Sequence, residues 1–196
     1  MPVKMAGKCE KYLKNRIESH KIEAVFWILK GEARMFHIVL VEPEIPANAG
    51  NVARTCAVTG SVLHLIEPLG FSVDDKHLKR AGLDYWHLLD IRYHASLDDF
   101  FAANPDGRYF YFTSKGRSSH AGAMFRDGDY LIFGKETRGL PESLLTAHPE
   151  RCVRIPMREG VRCLNLSNAV AVGLYEALRQ TGFAGLTDAG PFPVEI

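Results

Sequence analysis

The chain has 196 residues, of which 46% are apolar and 24% are charged, and its formal net charge is +1. This is ordinary globular composition, so we predict one domain with one buried core. The longest apolar run near the N-terminus is six residues, at 24–29. It is far shorter than the roughly 20 residues that cross a bilayer, so we predict no membrane span.

The four cysteines show neither CxxC nor zinc-finger spacing, and nothing ahead of them looks like a secretory signal. We therefore expect a reducing, cytoplasmic setting and no metal site. Two histidines, His64 and His87, have no partners at ligand spacing and are interpreted as structural. The cysteines are Cys9, Cys56, Cys152 and Cys163.

Residues 1–34 differ from the rest of the chain in charge. They carry eight Lys and Arg against four Asp and Glu, which leaves 16 basic and 19 acidic residues, a net charge of −3, in residues 35–196. Two interpretations are open. Either residues 9–29 form a basic amphipathic helix, or Met35 is the true start and the preceding segment is a translation artefact. We favour the artefact, because residues 36–41 read as a natural first strand directly after Met35.

From residue 36 onward, short apolar runs alternate with helical segments. This alternation is typical of parallel strands joined by crossover helices, so we predict an α/β fold with helices on both faces of a parallel sheet. Gly60 and Gly182 stand where helix C-caps belong. The predicted strands are residues 36–41, 62–66, 108–113, 130–133 and 152–155, and the first predicted helix is residues 48–59.

The last predicted helix carries an apolar stripe. Val170, Leu174 and Leu178 recur every four residues, and such a stripe buries against a sheet or a partner. Either Asn165 or Ser167 can cap the start of this helix.

The C-terminal residues 186–196 contain Gly and Pro and are predicted to form a mobile tail. The chain is therefore expected to comprise an N-terminal extension at residues 1–34, one domain at residues 35–185, and this tail.

Three polar segments each follow a predicted strand: residues 43–54 (PEIPANAGNVAR), 133–141 (FGKETRGLP) and 155–165 (IPMREGVRCLN). Open α/β sheets bind ligands at the carboxyl ends of their strands, so we expect the chemistry here. Together with residues 81–86 (AGLDYW), the segments resemble the motif set of the SpoU-TrmD (SPOUT) class of RNA methyltransferases, in its small TrmH/TrmL branch. The resemblance spans residues 36–185.

The resemblance implies transfer of a methyl group from S-adenosyl-L-methionine to a ribose 2′-hydroxyl of tRNA, without a metal. Compact single-domain members of this branch act at the wobble nucleotide, a cytidine or modified uridine at anticodon position 34. The resemblance also implies a trefoil knot near the C-terminus and a homodimer. Knots are too rare for a sequence pattern to predict one, so that expectation rests on the resemblance alone.

Three other functions compete with this one. The chain either methylates a ribose elsewhere in tRNA or rRNA, or is a catalytically silent RNA-binding module, or is a nucleotide-dependent oxidoreductase. The last is disfavoured because no G-x-G-x-x-G follows the first strand.

By the resemblance, Arg54, Asn48, Glu136 and Asn165 are the catalytic residues. The arginine matching Arg54 is assigned to activation of the ribose hydroxyl. A guanidinium, with a pKa above about 12, is a poor base. We therefore expect hydrogen bonding to a phosphate and stabilisation of the developing alkoxide to be at least as important. Asn165 is otherwise a simple N-cap, and Tyr175 in the last helix packs in the core or at a dimer interface.

The cofactor contacts implied by the resemblance fall on Phe112, Gly134, Ile155 and Cys163. Cys163 replaces the usual serine, and a thiol is a weak hydrogen-bond donor. Lys135 replaces the common proline, which we expect to loosen its loop and to place a cation near bound RNA.

Because residues 35–196 are acidic overall, binding of RNA phosphates by this part of the chain requires local clusters of basic residues. Guanidinium groups suit phosphate geometry, so we predict RNA contacts at Arg138, Arg158 and Arg162. The basic N-terminal helix, if it is translated, would add RNA affinity. The two basic clusters are Arg151, Arg154, Arg158 and Arg162, and Lys76, Lys79 and Arg80.

Overall fold

The computed structural model describes residues 36–72, 89–187 and 189–190. The predictions for residues 1–34, for residues 81–86, for His87 and for the cluster that begins at Lys76 lie outside these residues, as does most of the C-terminal tail. Across the described ranges, no helix is long and apolar enough to cross a membrane.

The described residues form one seven-stranded parallel sheet with α-helices packed against it, which confirms the predicted α/β class. The strands are β1 (His37–Val41), β2 (Val62–Ile66), β3 (Ile91–His94), β4 (Tyr109–Phe112), β5 (Ser118–Ser119), β6 (Tyr130–Phe133) and β7 (Cys152–Arg154). The α-helices are α1 (Pro46–Thr59), α2 (Leu97–Ala103), α3 (Glu142–Ala147) and α4 (Leu166–Gln180). The strand order is β3-β2-β1-β6-β4-β7-β5, and every pair of neighbours is parallel.

Alternate side chains of the central strands enter two separate cores, one on each face of the sheet. In β1, Ile38 and Leu40 face the core that α1 and α4 cover, whereas Val39 and Val41 face the core beside α2 and α3. All four side chains are buried. Burial on both faces explains why these strands read as continuous apolar runs.

The first helix, α1, begins earlier than predicted, at Pro46. Proline is favoured in a first helical turn because an N–H there would have no intrahelical partner, so its absence costs no hydrogen bond. The helix ends at Gly60, which adopts φ 70° and donates its N–H to the Cys56 carbonyl, so the predicted C-cap is confirmed. Gly182, with φ 72°, follows the end of α4 in the same left-handed conformation.

The predicted stripe on α4 is confirmed, since Val170, Leu174 and Leu178 are buried against the sheet. Tyr175 is 47% exposed. It lies about 140° around the helix axis from Val170, at 100° per residue. Tyr175 therefore does not pack in the core of this chain, which leaves a partner surface as its predicted role.

Four short elements were not predicted from the sequence: β3, β5, α2 and α3. β3 reads Ile-Arg-Tyr-His, lies at one edge of the sheet and is only partly buried. Edge strands lack the continuous apolar run that marks a central strand, so the pattern gave no signal.

A row of three hydrogen-bonded histidines crosses β1, β2 and β3. His37 Nδ1 lies 2.9 Å from His64 Nε2, and His64 Nδ1 lies 2.9 Å from His94 Nε2. Burial, then the neighbouring histidines and Arg92, lower the pKa of His64 to about 3. Burial and Arg92 lower the pKa of His37 to about 4, with Asp90 opposing them. Burial also lowers the pKa of His94. We therefore assign His64 a structural role, as a neutral side chain at pH 7.

The order of the strands reverses its direction between β1 and β6. β2 and β3 lie on one side of β1, and the later strands lie on the other side. The connection after β1 leads to α1 on one face, and the connection after β6 leads to α3 on the other face. Such a switch point leaves a crevice at the carboxyl ends of the two strands, where α/β proteins bind ligands.

Candidate active site

The loops that follow β1 and β6 meet at this crevice, and Glu136 joins them. Its carboxylate accepts hydrogen bonds from the backbone N–H of Glu44 (2.8 Å), from that of Ile45 (3.3 Å) and from Asn48 Nδ2 (2.8 Å). Ile45 is the N-cap of α1, and its apolar side chain makes no capping hydrogen bond. A negative charge at this end of a helix complements the helix dipole. Glu136 thus anchors the second loop to the start of α1.

Asn48 extends this contact to the last helix. Asn48 Oδ1 accepts a hydrogen bond from Asn165 Nδ2 at 2.9 Å, and Asn48 is 5% exposed. Asn165 Oδ1 in turn accepts from the Ser167 N–H (3.0 Å) and hydroxyl (2.7 Å) at the start of α4. Asn165 is therefore both an N-cap and a member of a wider group. We refer to Asn48, Glu136 and Asn165 as the Asn–Glu–Asn group.

Arg54, the fourth predicted catalytic residue, is exposed on α1. It stands six residues after Asn48, which corresponds to about 9 Å along the helix axis and about 120° around it. The structure thus brings three of the four predicted catalytic residues into hydrogen-bond contact, and it places Arg54 further along the helix that starts at this group.

The predicted cofactor residues lie at neighbouring strand ends. Phe112 closes β4, Gly134 follows β6 and Ile155 follows β7, and these three strands are adjacent in the order β6-β4-β7. The Phe112 ring stacks on that of Phe133, with centroids 4.5 Å apart. Cys163 is exposed on the loop that leads to α4.

Gly134 is fixed by the close packing of its own loop. A Cβ at this position would lie 2.1 Å from the Gly139 carbonyl carbon and 2.2 Å from the Leu140 nitrogen. No backbone tolerates such contacts, so the loop requires glycine here. The bare backbone also allows a flat ligand to approach the end of β6 closely.

Lys135 is bonded to neighbouring residues, whereas we expected it to loosen its loop. Its ammonium group pairs with the Glu42 carboxylate, and its carbonyl accepts the Gly139 N–H at 2.8 Å. These contacts fasten the loop to the end of β1, so replacing proline with lysine has not left the loop loose.

The predicted RNA-binding arginines are all exposed: Arg138 on the loop after β6, and Arg158 and Arg162 on the loop after β7. A cavity of about 460 Å³ opens beside the first of these loops, lined in part by Glu42, Lys135 and Arg138. Among the described residues, no group of three or more His, Cys, Asp or Glu is arranged to hold a metal ion.

A match to a known protein family identifies the family of this chain. The family model of the SpoU rRNA methylase family matches residues 35–175, which include every segment of the crevice. The chain belongs to the SpoU methylase family.

Individual SpoU-family relatives are similar over nearly their whole length. The tRNA (cytidine(34)-2′-O)-methyltransferase of Escherichia coli K12 is 53% identical over 152 residues, covering 77% of this chain and 97% of that protein. The protein of the same name from Burkholderia pseudomallei is 54% identical over 154 residues, covering 77% and 99%. A solved structure described as giving insights into the 2-OH methylation of C/U34 on tRNA is 54% identical, with a TM-score of 0.72 and coverage of 76% and 97%.

The SpoU-family site also contains polar residues that sequence reasoning missed. Glu44 and Thr137 form hydrogen bonds that join two of its segments, and Ser167 donates locally to Asn165. Ser167 had been considered only as a helix cap. No local signal marked Glu44, because the partner of its carboxylate, Thr137, lies 93 residues away in the chain.

Proposed function

We propose that the chain is an S-adenosylmethionine-dependent methyltransferase that modifies the ribose 2′-hydroxyl of the wobble nucleotide of tRNA. The observation that carries the proposal is the Asn–Glu–Asn group at the switch point of a SpoU-family sheet. Relatives at 53% and 54% identity are named for cytidine 34, which supports position 34 as the target. The enzyme acts in the cytoplasm, on tRNA.

The strand ends at β6, β4 and β7 fit the methyl donor. Phe112 and Ile155 offer apolar surface to an adenine ring, and Gly134 leaves the neighbouring backbone bare. When bound, S-adenosylmethionine supplies an electrophilic methyl group on a sulfonium, so the transfer itself needs no metal. Cys163 contributes its backbone or its thiol on the loop that closes this edge.

The chain's own residues orient the ribose and stabilise charge. The amides of Asn48 and Asn165 position the nucleotide, while Glu136 fixes Asn48 in place. Arg54 donates hydrogen bonds to the developing alkoxide and to a neighbouring phosphate, since its guanidinium is too weak a base to remove the proton by itself. The hydroxyl proton would pass to solvent as the oxygen takes the methyl group, and the sulfonium would become a neutral thioether. Holding the hydroxyl in line with the methyl group accounts for much of the expected acceleration.

Binding of the tRNA backbone is assigned to Arg138, Arg158 and Arg162. Their exposed guanidinium groups can each bind a phosphate with two hydrogen bonds. Because residues 35–196 carry a net charge of −3, the attraction is local to these loops. RNA affinity is accordingly expected to fall as salt is raised.

Transfer of a labelled methyl group from S-adenosylmethionine to unmodified tRNA tests the proposal, with nuclease mapping of the product. The matched control is the same tRNA carrying a 2′-deoxynucleotide at position 34. We expect label on ribose 34 and none on the control. Label at another ribose would overturn the position. Measurable cofactor and RNA binding without any transfer would instead favour a silent RNA-binding module.

A homodimer forms part of the proposal, because α1 and α4, which contact each other, each leave apolar side chains exposed. Val58, Val172 and Tyr175 are 56%, 42% and 47% exposed. We expect Tyr175→Asp to shift the protein toward monomer in sedimentation equilibrium. Met124→Asp, at a side chain outside α1 and α4 that is 74% exposed, should leave the assembly unchanged. A wild-type protein that sediments as a fully active monomer would contradict the dimer.

The domain limits are also proposed. The methyltransferase domain comprises residues 35–185, which the family match at residues 35–175 supports. Residues 1–34 are then an extension and residues 186–196 a tail.

A further inference from the structure

Glu136 and Thr137, in the loop after β6, exchange hydrogen bonds with Glu44, in the loop after β1. Glu136 accepts the Glu44 N–H at 2.8 Å. In return, the Glu44 carboxylate accepts the Thr137 N–H at 3.0 Å and the Thr137 hydroxyl at 2.9 Å. Each loop thus supplies a carboxylate to donors of the other, although the two loops are more than 90 residues apart in the chain.

The surroundings restrict both loops to this arrangement. The first loop is supported from behind by Gly70, whose N–H donates to the Pro43 carbonyl at 2.9 Å. A Cβ on Gly70 would lie 2.7 Å from the Glu44 Cα, so the packing there is close. The first loop is also held two residues before Glu44, where Lys135 pairs with Glu42. Among the described residues, Thr137 supplies the only side chain of the second loop that bonds the Glu44 carboxylate.

This exchange of hydrogen bonds involves Glu136, which is also a member of the Asn–Glu–Asn group. Glu136 contacts Asn48 with one carboxylate oxygen and the Glu44 N–H with the other. A shift of the second loop would therefore move Glu136 away from Asn48. Hydrogen bonds to a charged carboxylate are shorter and stronger than neutral ones, so the Glu44–Thr137 contact can hold the loop against such a shift.

We infer that Glu44 and Thr137 are positioning residues for methyl transfer, which hold Glu136 against the start of α1 and so fix Asn48 for the ribose. This inference rests on the proposed function. Neither residue contacts the reacting atoms in this role. Misplacing a reacting group by about 1 Å is enough to lower a rate up to a hundredfold.

The test compares Thr137→Val, which removes only the hydroxyl, with Thr137→Ser, which keeps it. Thr146→Val is the matched control, because the exposed Thr146 hydroxyl also makes one hydrogen bond, to the Glu142 carbonyl at 2.8 Å on α3. We expect Thr137→Val to lower kcat about ten- to hundredfold. The KM values for tRNA and S-adenosylmethionine should change little, Thr137→Ser should retain most of the rate, and Thr146→Val should match the wild type.

Hydrogen exchange of the same variants provides a second measurement that does not depend on activity. The backbone amides of residues 42–48, apart from the two prolines, should exchange faster in Thr137→Val than in the wild type or in Thr146→Val. Unchanged exchange in Thr137→Val would overturn the contact itself. Faster exchange with an unchanged kcat would overturn its positioning role. If the wild type transfers no methyl group to tRNA, the proposed function fails, and the positioning role fails with it, whereas the exchange data still decide whether the contact holds the loops together.

Discussion

Replacement of Arg54 by alanine is expected to lower kcat/KM for tRNA methylation by about 10²- to 10³-fold. Loss of one donor that stabilises a developing oxyanion typically has an effect of this size. Arg54 is exposed on α1, so its removal leaves no cavity, and the unfolding free energy should stay within about 0.5 kcal/mol of the wild-type value. Single-turnover methyl transfer at saturating tRNA separates the chemical step from binding.

Two further variants serve as comparisons for Arg54→Ala. Arg54→Lys keeps the charge but loses the planar donor geometry, so it should recover only part of the rate. Arg126→Ala removes an exposed arginine that precedes the amino end of β6, whereas the site lies at the carboxyl ends of the strands, and it should have full activity. A rate for Arg54→Ala within threefold of the wild type would remove Arg54 from the mechanism.

Acidification from pH 7 to pH 5 is expected to destabilise the protein by about 3 kcal/mol through the histidine row. In the unfolded chain these histidines bind protons with a pKa near 6.5, whereas the pKa values in the folded protein are about 3 for His64 and about 4 for His37. The stabilisation is therefore complete above pH 6.5 and is lost as the pH falls toward these folded values. His64 contributes about 2 kcal/mol over this interval, and the half-buried His37 contributes less.

Urea unfolding at pH 7 and at pH 5 measures this effect. In His64→Leu the difference between the two pH values should shrink by about 2 kcal/mol, whatever the stability of the variant at pH 7. His148→Gln, at an exposed histidine that stacks on Tyr111, should leave the difference unchanged. Titration of the wild-type histidines by NMR offers an independent measurement. A His64 resonance that titrates near pH 6.5 would refute the prediction.

The central part of the fold was predictable because its strands are buried on both faces. β1, β2 and β6 consist of apolar residues with few interruptions, and proline and glycine mark the limits of α1. β3 and β5 were missed for the opposite reason, since an edge strand with polar side chains has no distinct pattern. Pairing order is set by contacts between distant segments, so the position of β1 beside β6 was not available from local patterns.

The sequence predicted which segments form the site, but it did not predict the hydrogen bonds between them. The three polar segments after strands correctly indicated where Asn48, Glu136 and Asn165 lie, whereas the bonds among them depend on tertiary packing. Lys135 shows this limit most clearly. Its replacement of proline suggested a looser loop, but the partner that holds it, Glu42, is 93 residues away in the chain. The trefoil knot stays a prediction.

The three residues of the Asn–Glu–Asn group come from distant parts of the chain, so the ribosome completes the group late in synthesis. Asn48 bonds Glu136 across 88 residues and Asn165 across 117 residues. The group is complete only after α4 has been synthesised and has packed onto the sheet beside α1. A chain that stops before α4, or that folds only its first half, lacks Asn165 in the group and is therefore expected to be inactive. Methyl transfer thus reports the fraction of molecules that have folded completely.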